Sequence, residues 1–82
     1  MITYTVKETK KAILKWSPKH IDFSIDEFEQ INWEMILSNC FTQKGWLEKK
    51  TFLMAMKHLC AEKVFAKYTD LENNKIHFIR IN

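Results

Sequence analysis

Glycine and proline are almost absent from this sequence, which has one residue of each. Because glycine permits tight turns and proline interrupts regular structure, their scarcity favours helices and strands over long loops. A phosphate-binding loop needs several glycines, so that class of nucleotide site is excluded. Hydrophobic residues make up 46% of the 82-residue chain, enough for a core and too many for a disordered protein. We expect one domain, residues 1–82, with one modest core.

Cysteine is also scarce, with Cys40 and Cys60 as the only two. Without a secretory signal they are interpreted as buried, reduced thiols, and a disulfide between them is the minor alternative. No apolar run approaches the roughly 20 residues that cross a membrane. The N-terminal segment has lysines where a signal peptide would have an apolar core. The sequence therefore predicts a cytoplasmic protein without a membrane segment.

Arrangements of residues that carry out catalysis are missing as well. His20, His58 and His77 are far apart, and none has a carboxylate at a spacing typical of catalytic sites. His58 and Cys60 are two residues apart on a predicted helix, so their side chains point in different directions. The cysteines and histidines also lack the spacing of zinc ligands. We expect no enzymatic activity, no metal site and no cofactor.

Charged residues occur in blocks, and the net charge is +3. Lysines predominate in residues 7–19 and 44–67, whereas residues 22–34 are acidic and contain no base. Such blocks predict surfaces of opposite sign, although solvated faces that merely differ explain them equally well. An acidic surface would suit a basic partner or a basic patch on a second copy of the chain.

The N-terminal stretch allows two structures, and we expect a hairpin in preference to a helix. Residues 2–6 alternate in the manner of a short strand. The preceding strand favours residues 8–16 as a second strand of an N-terminal hairpin, whereas helix propensity favours a helix. As a helix, the stretch would place on one side Thr9, Ala12, Ile13 and Trp16. Pro18 ends either element.

The middle of the chain predicts two main helices. Ser24 and Glu27 have the spacing of a capping box, which predicts a helix over residues 25–39. Residues 41–46 are expected to form a turn in which Gly45 takes a positive φ. A second helix is predicted over residues 47–62. Its apolar side consists of Phe52, Ala55, Met56, Leu59 and Cys60, and its outer side of Lys50, Thr51, Met54, Lys57 and His58.

Two strands, residues 64–69 and 75–81, follow the second helix and predict a C-terminal β-hairpin, because the segment between them is rich in Asn and Asp. The expected fold class is α+β. Residues 49–81 resemble the recognition helix and wing of winged-helix regulators, those of the MarR type in particular. The segments that carry the resemblance are Thr51-Phe52 and Met56–Leu59 on the helix, Glu62–Lys67 at the entry to the wing, Tyr68–Lys75 at its tip and Ile76–Ile81 on the returning strand. Val64 stands where that family usually has glycine.

The resemblance implies a small winged-helix-like domain. No separate middle helix fits between residues 40 and 47. The chain matches a three-helix pattern only if residues 25–39 form the middle helix and residues 8–16 form the first. That match requires the helical alternative for residues 8–16.

The resemblance also implies a small transcriptional regulator that binds double-stranded DNA. A helix fits the major groove, where each base pair shows a distinct pattern of donors and acceptors. The residues expected to contact DNA are Lys50, Thr51, Lys57 and His58 on the helix and Lys67, Asn73, Asn74 and Lys75 on the wing, with phosphate contacts added by Lys10, Lys11 and Lys15. The only arginine, Arg80, lies outside the helix, although arginine is the commonest base-reading residue. A homodimer fits this function, since one small module contacts few base pairs.

The alternative function is a non-enzymatic protein-interaction module, such as a phage or mobile-element protein that binds and inhibits a host factor. Small size, the absence of catalytic residues and the segregated charge all fit this class. Met54 is a flexible apolar side chain among lysines, and Trp46 belongs to a residue type enriched at interfaces. These two residues are the candidates for a protein interface.

Overall fold

The computed structural model describes residues 2–25 and 37–82. Two complete helices and three strands lie within these residues. Their order is α1 (Val6–Trp16), β1 (Asp22–Ser24), α2 (Lys49–Ala61), β2 (Phe65–Asp70) and β3 (Lys75–Arg80). The strands form one antiparallel sheet in the order β1-β3-β2. The α+β class is confirmed, as are the second main helix and the C-terminal hairpin.

Residues 8–16 are helical, so the predicted N-terminal hairpin is wrong. Thr5 caps the helix: its hydroxyl oxygen accepts from the Glu8 backbone N–H at 3.1 Å, and its own N–H donates to the Glu8 carboxylate at 3.2 Å. This backbone hydrogen bond is the main reason that the pKa of Glu8 lies below its ordinary value. The two bonds satisfy N–H groups that have no partner within a helix. The helix buries Thr9, Ala12 and Ile13, as the helical alternative requires.

The strand predicted over residues 2–6 is reduced to one bridge, because Val6 is already helical. Thr3 and Trp46 form an isolated parallel bridge. The Tyr4 N–H donates to the Trp46 carbonyl at 2.9 Å, and the Tyr4 ring stacks on Phe41 with ring centroids 3.6 Å apart. The N-terminal arm is thus held by the segment that precedes α2.

Gly45 does not take the positive φ that was predicted for a turn. It lies instead against the N-terminal arm. A Cβ at this position would lie 2.7 Å from the Ile2 carbonyl oxygen and 2.8 Å from the Tyr4 ring. Both distances are far below van der Waals contact. Glycine is therefore required by the close approach of the N-terminal arm.

Most of the helix predicted over residues 25–39 lies outside the described residues, as does the partner of Ser24 in its capping box, Glu27. In the described part, Leu37 and Ser38 are helical, and Leu37 is fully buried in the core.

Helix α2 buries the predicted apolar side, namely Phe52, Ala55, Met56 and Leu59. Its bounds are narrower than the predicted 47–62, because Trp46 pairs with the N-terminal arm. Cys40 and Cys60 are free thiols, as predicted. They were expected to be buried, but each is only half-buried. Desolvation by burial raises the pKa of Cys60, and Lys67 partly opposes this shift.

The end of α2 has a Schellman geometry, which uses the last carbonyl groups of a helix. The N–H of Lys63 donates to the Cys60 carbonyl at 3.1 Å, and the N–H of Val64 donates to the Leu59 carbonyl at 3.0 Å. Lys63 has a φ of 63°, the left-handed conformation that glycine usually occupies in this motif. The left-handed conformation of Lys63 is strained, and it turns the chain sharply from α2 into β2.

The strands lie within one residue of their predicted bounds, and β1 is an addition that the sequence did not predict. Phe23 on β1 pairs with Phe78 on β3, and their ring centroids are 5.8 Å apart. Phe23 also contacts Trp16 edge-on at 5.7 Å and Phe65 at 6.2 Å. These rings join the sheet to α1 and are the contribution of the sheet to the core.

The Arg80 side chain fastens β3 to the end of α1. One of its terminal nitrogens, Nη1, donates to the Leu14 carbonyl at 3.1 Å, to the Ser17 hydroxyl at 2.7 Å and to the Ser17 carbonyl. The last carbonyls of a helix have no partner within the helix, and a cation there also complements the helix dipole. The only arginine of the chain therefore has a structural role.

We expect Lys63→Gly to stabilise the protein by about 1 kcal/mol, because the left-handed conformation costs a residue with a Cβ roughly 1–2 kcal/mol. Urea unfolding followed by circular dichroism measures the change. Lys19→Gly is the control, since Lys19 is exposed and its φ is not positive. A stability gain in the control, or none in Lys63→Gly, would contradict the assigned helix end.

We expect Arg80→Met to lower the free energy of unfolding by about 1–3 kcal/mol, because it removes a charged donor from the Leu14 and Ser17 carbonyls. Methionine keeps much of the aliphatic stem, so lost packing contributes little. The matched control is Lys15→Met, which removes an exposed cation from the last turn of α1 and should change stability by no more than about 0.5 kcal/mol. Equal effects of the two substitutions would rule out the assigned role of Arg80.

Candidate nucleic-acid interface

The outermost side of α2 is a stripe formed by Lys50, Met54 and Lys57, which recur at helical spacing. All three are exposed. The Lys50 side chain is 84% exposed and its ammonium group lies 3.4 Å from the Glu48 carboxylate. An ion pair this exposed is weak, so Lys50 remains available to an anionic ligand. The stripe is basic and has an apolar residue at its centre.

The other two predicted helix residues are Thr51 and His58. His58 lies on the flank of α2 that faces α1, and Thr51 precedes it by seven residues, about two helical turns. Thr51 is half-buried, whereas His58 is exposed. His58 lines a cleft together with Lys10 and Glu62, whose charged groups are 2.6 Å apart. The predicted set is therefore divided between the outer stripe and this flank.

Lys57 of α2 and Lys67 of β2 share a cleft. Both lysines line one cleft of about 440 Å³ between the helix and the sheet, together with Leu53, Cys60 and Phe78. Two cations from separate elements thus face a common space, with apolar residues beneath them. This juxtaposition links the predicted helix residues to the predicted wing residues.

The tip of the hairpin is organised by Asp70. Its carboxylate accepts from the Asn73 side-chain amide at 2.9 Å and from the Glu72 backbone N–H at 3.1 Å. Asn74 has a φ of 54°, which asparagine tolerates better than most residues. Asn73 and Asn74 therefore form the turn, and Asn73 uses one amide donor within it. Lys75 begins β3 and is half-buried.

The residues predicted for a protein interface are both exposed, Met54 by 46% and Trp46 by 54%. They do not belong to one element, since Trp46 pairs with the N-terminal arm and Met54 lies on α2. Leu71 at the hairpin tip is 88% exposed and was not predicted. Its position in a turn between two acidic residues gave no sequence signal.

A cluster of polar side chains on the outer face of the sheet was also missed. Asp22 on β1 accepts from the Tyr68 hydroxyl at 2.5 Å and lies 3.1 Å from His77 Nδ1. The Tyr68 and His77 rings are stacked with centroids 5.0 Å apart. Because Asp22 and His77 are 55 positions apart, only the pairing of β1 with β3 brings them together.

This cluster connects the three strands through their side chains. His77 Nε2 faces the Asp70 carboxylate at 3.9 Å, while Nδ1 faces Asp22. Both ring nitrogens are thus directed at carboxylates.

Hydrogen bonds, above all the one from the Asn73 side chain, hold the pKa of Asp70 below its ordinary value of 3.8. We therefore expect Asn73→Ala to raise the pKa of Asp70. A carboxyl group with a lowered folded-state pKa stabilises the fold above its unfolded-state pKa, and this contribution is lost as pH falls through the folded-state value. The acid-sensitive window therefore begins near pH 3.8 and extends below it.

Carboxyl carbon shifts followed by NMR across acid pH measure this pKa directly. Asn39→Ala is the control, because Asn39 is exposed and lies outside the hairpin. An Asp70 pKa that is equal in the wild type and Asn73→Ala would disprove the assigned hydrogen bond.

In residues 2–25 and 37–82, no three His, Cys, Asp or Glu side chains are grouped as metal ligands would be. No helix in that part of the chain is long and apolar enough to cross a membrane. Comparison of the chain with protein-family models, with curated proteins and with solved structures finds no match.

Proposed function

We propose that the chain is a small DNA-binding transcriptional regulator with a winged-helix-like fold. In this proposal α2 enters the major groove, and the hairpin β2–β3 lies against the neighbouring backbone as a wing. The observation that carries it is the basic stripe of α2 directly before a hairpin whose Lys67 lines a cleft with Lys57.

The order of the elements supports the winged-helix assignment. Winged-helix domains place a hairpin directly after the recognition helix and pair it with a short strand that follows the first helix. The chain has α2 directly before β2 and β3, and β1 follows α1 and pairs with β3. The helical structure of residues 8–16 also meets the condition for counting α1 as the first of three helices.

The charges of α2 and the hairpin support contact with phosphate groups. Lys50 and Lys57 on α2 are exposed, as is Lys67 on β2. Glu48 is the acidic residue paired with this group, through an exposed ion pair to Lys50. Lysine contacts to phosphates give affinity and orientation, whereas base contacts give specificity. Thr51 and His58 are the residues of the helix that could add base contacts.

The hairpin β2–β3 has a narrower role in this proposal than its four predicted residues suggest. Asp70 and Glu72 at the tip would repel phosphate groups, and Asn73 is bonded to Asp70. Contact with the DNA backbone is therefore assigned to Lys67 and Lys75, with Asn74 as an uncharged neighbour. A homodimer would double the number of base pairs contacted.

The second candidate is a non-enzymatic module that binds another protein, as a phage or mobile-element inhibitor of a host factor would. The observation that favours it is the set of exposed apolar side chains, Trp46, Met54 and Leu71. DNA contact does not explain apolar residues at these positions.

Binding to random duplex DNA tests the proposal. Four phosphate contacts, by Lys50, Lys57, Lys67 and Lys75, would give a log–log salt slope of about −3.6, and hence roughly a hundredfold loss of affinity between about 50 mM and 200 mM salt. Fluorescence anisotropy with a labelled duplex measures this. No binding at the lower salt concentration would disprove DNA binding and leave the second candidate.

Charge reversal locates the binding surface. Lys57→Glu should weaken DNA binding by at least about tenfold, because it turns attraction to phosphate into repulsion. Lys44→Glu changes the net charge equally at an exposed position outside α2 and the hairpin, and should have a much smaller effect. Equal losses in the two variants would show that net charge, and not α2, governs binding.

A further inference from the structure

A cleft of about 480 Å³ lies between α1 and the C-terminal half of α2. Four residues form its apolar floor: Val6 and Leu14 of α1, Leu59 of α2, and Val64 at the entry to β2. Val6, Leu14 and Val64 are half-buried, so they contact the core and still reach the surface. A volume of this size is within the range of ligand sites in proteins.

The rim of this α1–α2 cleft is basic. Lys7, Lys10 and Lys11 of α1 line it, and His58 of α2 lies opposite them. Glu62 is the acidic residue among the lining residues, and its carboxylate is 2.6 Å from the Lys10 ammonium group. Three lysines against one glutamate leave the rim with an excess of positive charge.

A second cleft of about 440 Å³ adjoins the first and extends it along α2. The two clefts share Lys10, His58 and Glu62, and the second adds Met54, Lys57 and Ala61. Together they form an elongated surface with apolar side chains along its length and lysines on its borders. The exposed Met54 therefore lies at one end of a larger surface.

We propose that this elongated surface docks an acidic amphipathic helix of a partner protein. Such a helix lays its apolar side into a hydrophobic groove through side chains at i, i+3, i+4 and i+7. Its apolar residues would contact Val6, Leu14 and Val64, and its carboxylates would pair with Lys7 and Lys11. A partner carboxylate near Lys10 would compete with Glu62.

Shape and chemistry select this occupant over others. Duplex DNA offers phosphates but no apolar side chains for the floor, which lies mainly between α1 and the end of α2. A compact small molecule would leave most of an elongated surface of two clefts uncovered. A basic peptide would be repelled by the rim. The inference does not depend on DNA binding by α2, because Lys7, Lys11, Leu14 and Val64 belong to other segments.

The test uses a designed helical peptide of about 16 residues with leucines at i, i+3, i+4 and i+7 and glutamates elsewhere. One control peptide has lysine in place of glutamate, and another has serine in place of leucine. NMR of the whole protein should show amide shift changes at Val6, Leu14, Leu59 and Val64 with the acidic peptide. Neither control peptide should produce these changes at equal concentration.

Matched protein variants test the rim. Lys7→Glu with Lys11→Glu should weaken binding of the acidic peptide at least about tenfold, since two attractive contacts become repulsive. Lys15→Glu with Lys19→Glu changes the net charge equally at exposed positions outside the two clefts, and should change affinity by less than about threefold.

Four results would overturn the inference: no binding of the acidic peptide at low salt, equal binding of the lysine peptide, equal losses in the two double variants, or shift changes confined to other surfaces. If duplex DNA shifts the cleft amides and the peptide does not, the cleft belongs to a nucleic-acid surface instead. The DNA measurements on Lys57→Glu are separate, so failure of the docking surface and failure of DNA binding are distinguishable.

Discussion

The guanidinium group of Arg80 connects the two layers of this small domain. Arg80 is the last residue of β3, and its guanidinium group donates to carbonyls at the end of α1. Its backbone N–H donates to the carbonyl of Ile21, the residue before β1, at 2.9 Å. The aromatic contacts of Phe23 on β1 with Trp16 on α1 and Phe78 on β3 join the same elements. Arg80 is the only arginine, and its guanidinium group is engaged in these hydrogen bonds. The strong cations on the outer surfaces are therefore lysines. Lysine binds phosphate as a point charge and lacks the planar fork with which arginine identifies a guanine.

The sequence predicted elements whose signals are local. The one-sided apolar pattern of α2 and the Asn/Asp-rich turn were sufficient for that helix and the hairpin. The error at α1 came from giving an alternating stretch of five residues more weight than Thr5 and Glu8, which have the same capping spacing that was recognised at Ser24. Strand β1 has only three residues, too few for alternation to be detected, and it is a strand because β3 supplies its hydrogen bonds.

Features that depend on distant residues could not be predicted in the same way. Gly45 looked like a turn residue because its neighbours in sequence are loop-like, yet its role is set by Tyr4, which packs against it. Asp22, Tyr68 and His77 meet only through the strand order β1-β3-β2. The residues assigned to DNA are exposed or partly exposed, but only the structure shows that His58 faces α1 and that Asn73 is bonded within its turn.

The two proposed surfaces meet on α2. Lys57 and His58 belong both to the residues assigned to DNA and to the lining of the clefts beside α1. A helix rich in carboxylates that occupied those clefts would neutralise these two cations and place negative charge beside the α2 stripe. DNA phosphates would then face repulsion in place of attraction, so the two ligands would exclude one another by charge as well as by space. If both proposals hold, the two sides of α2 would couple binding of a partner to release of DNA.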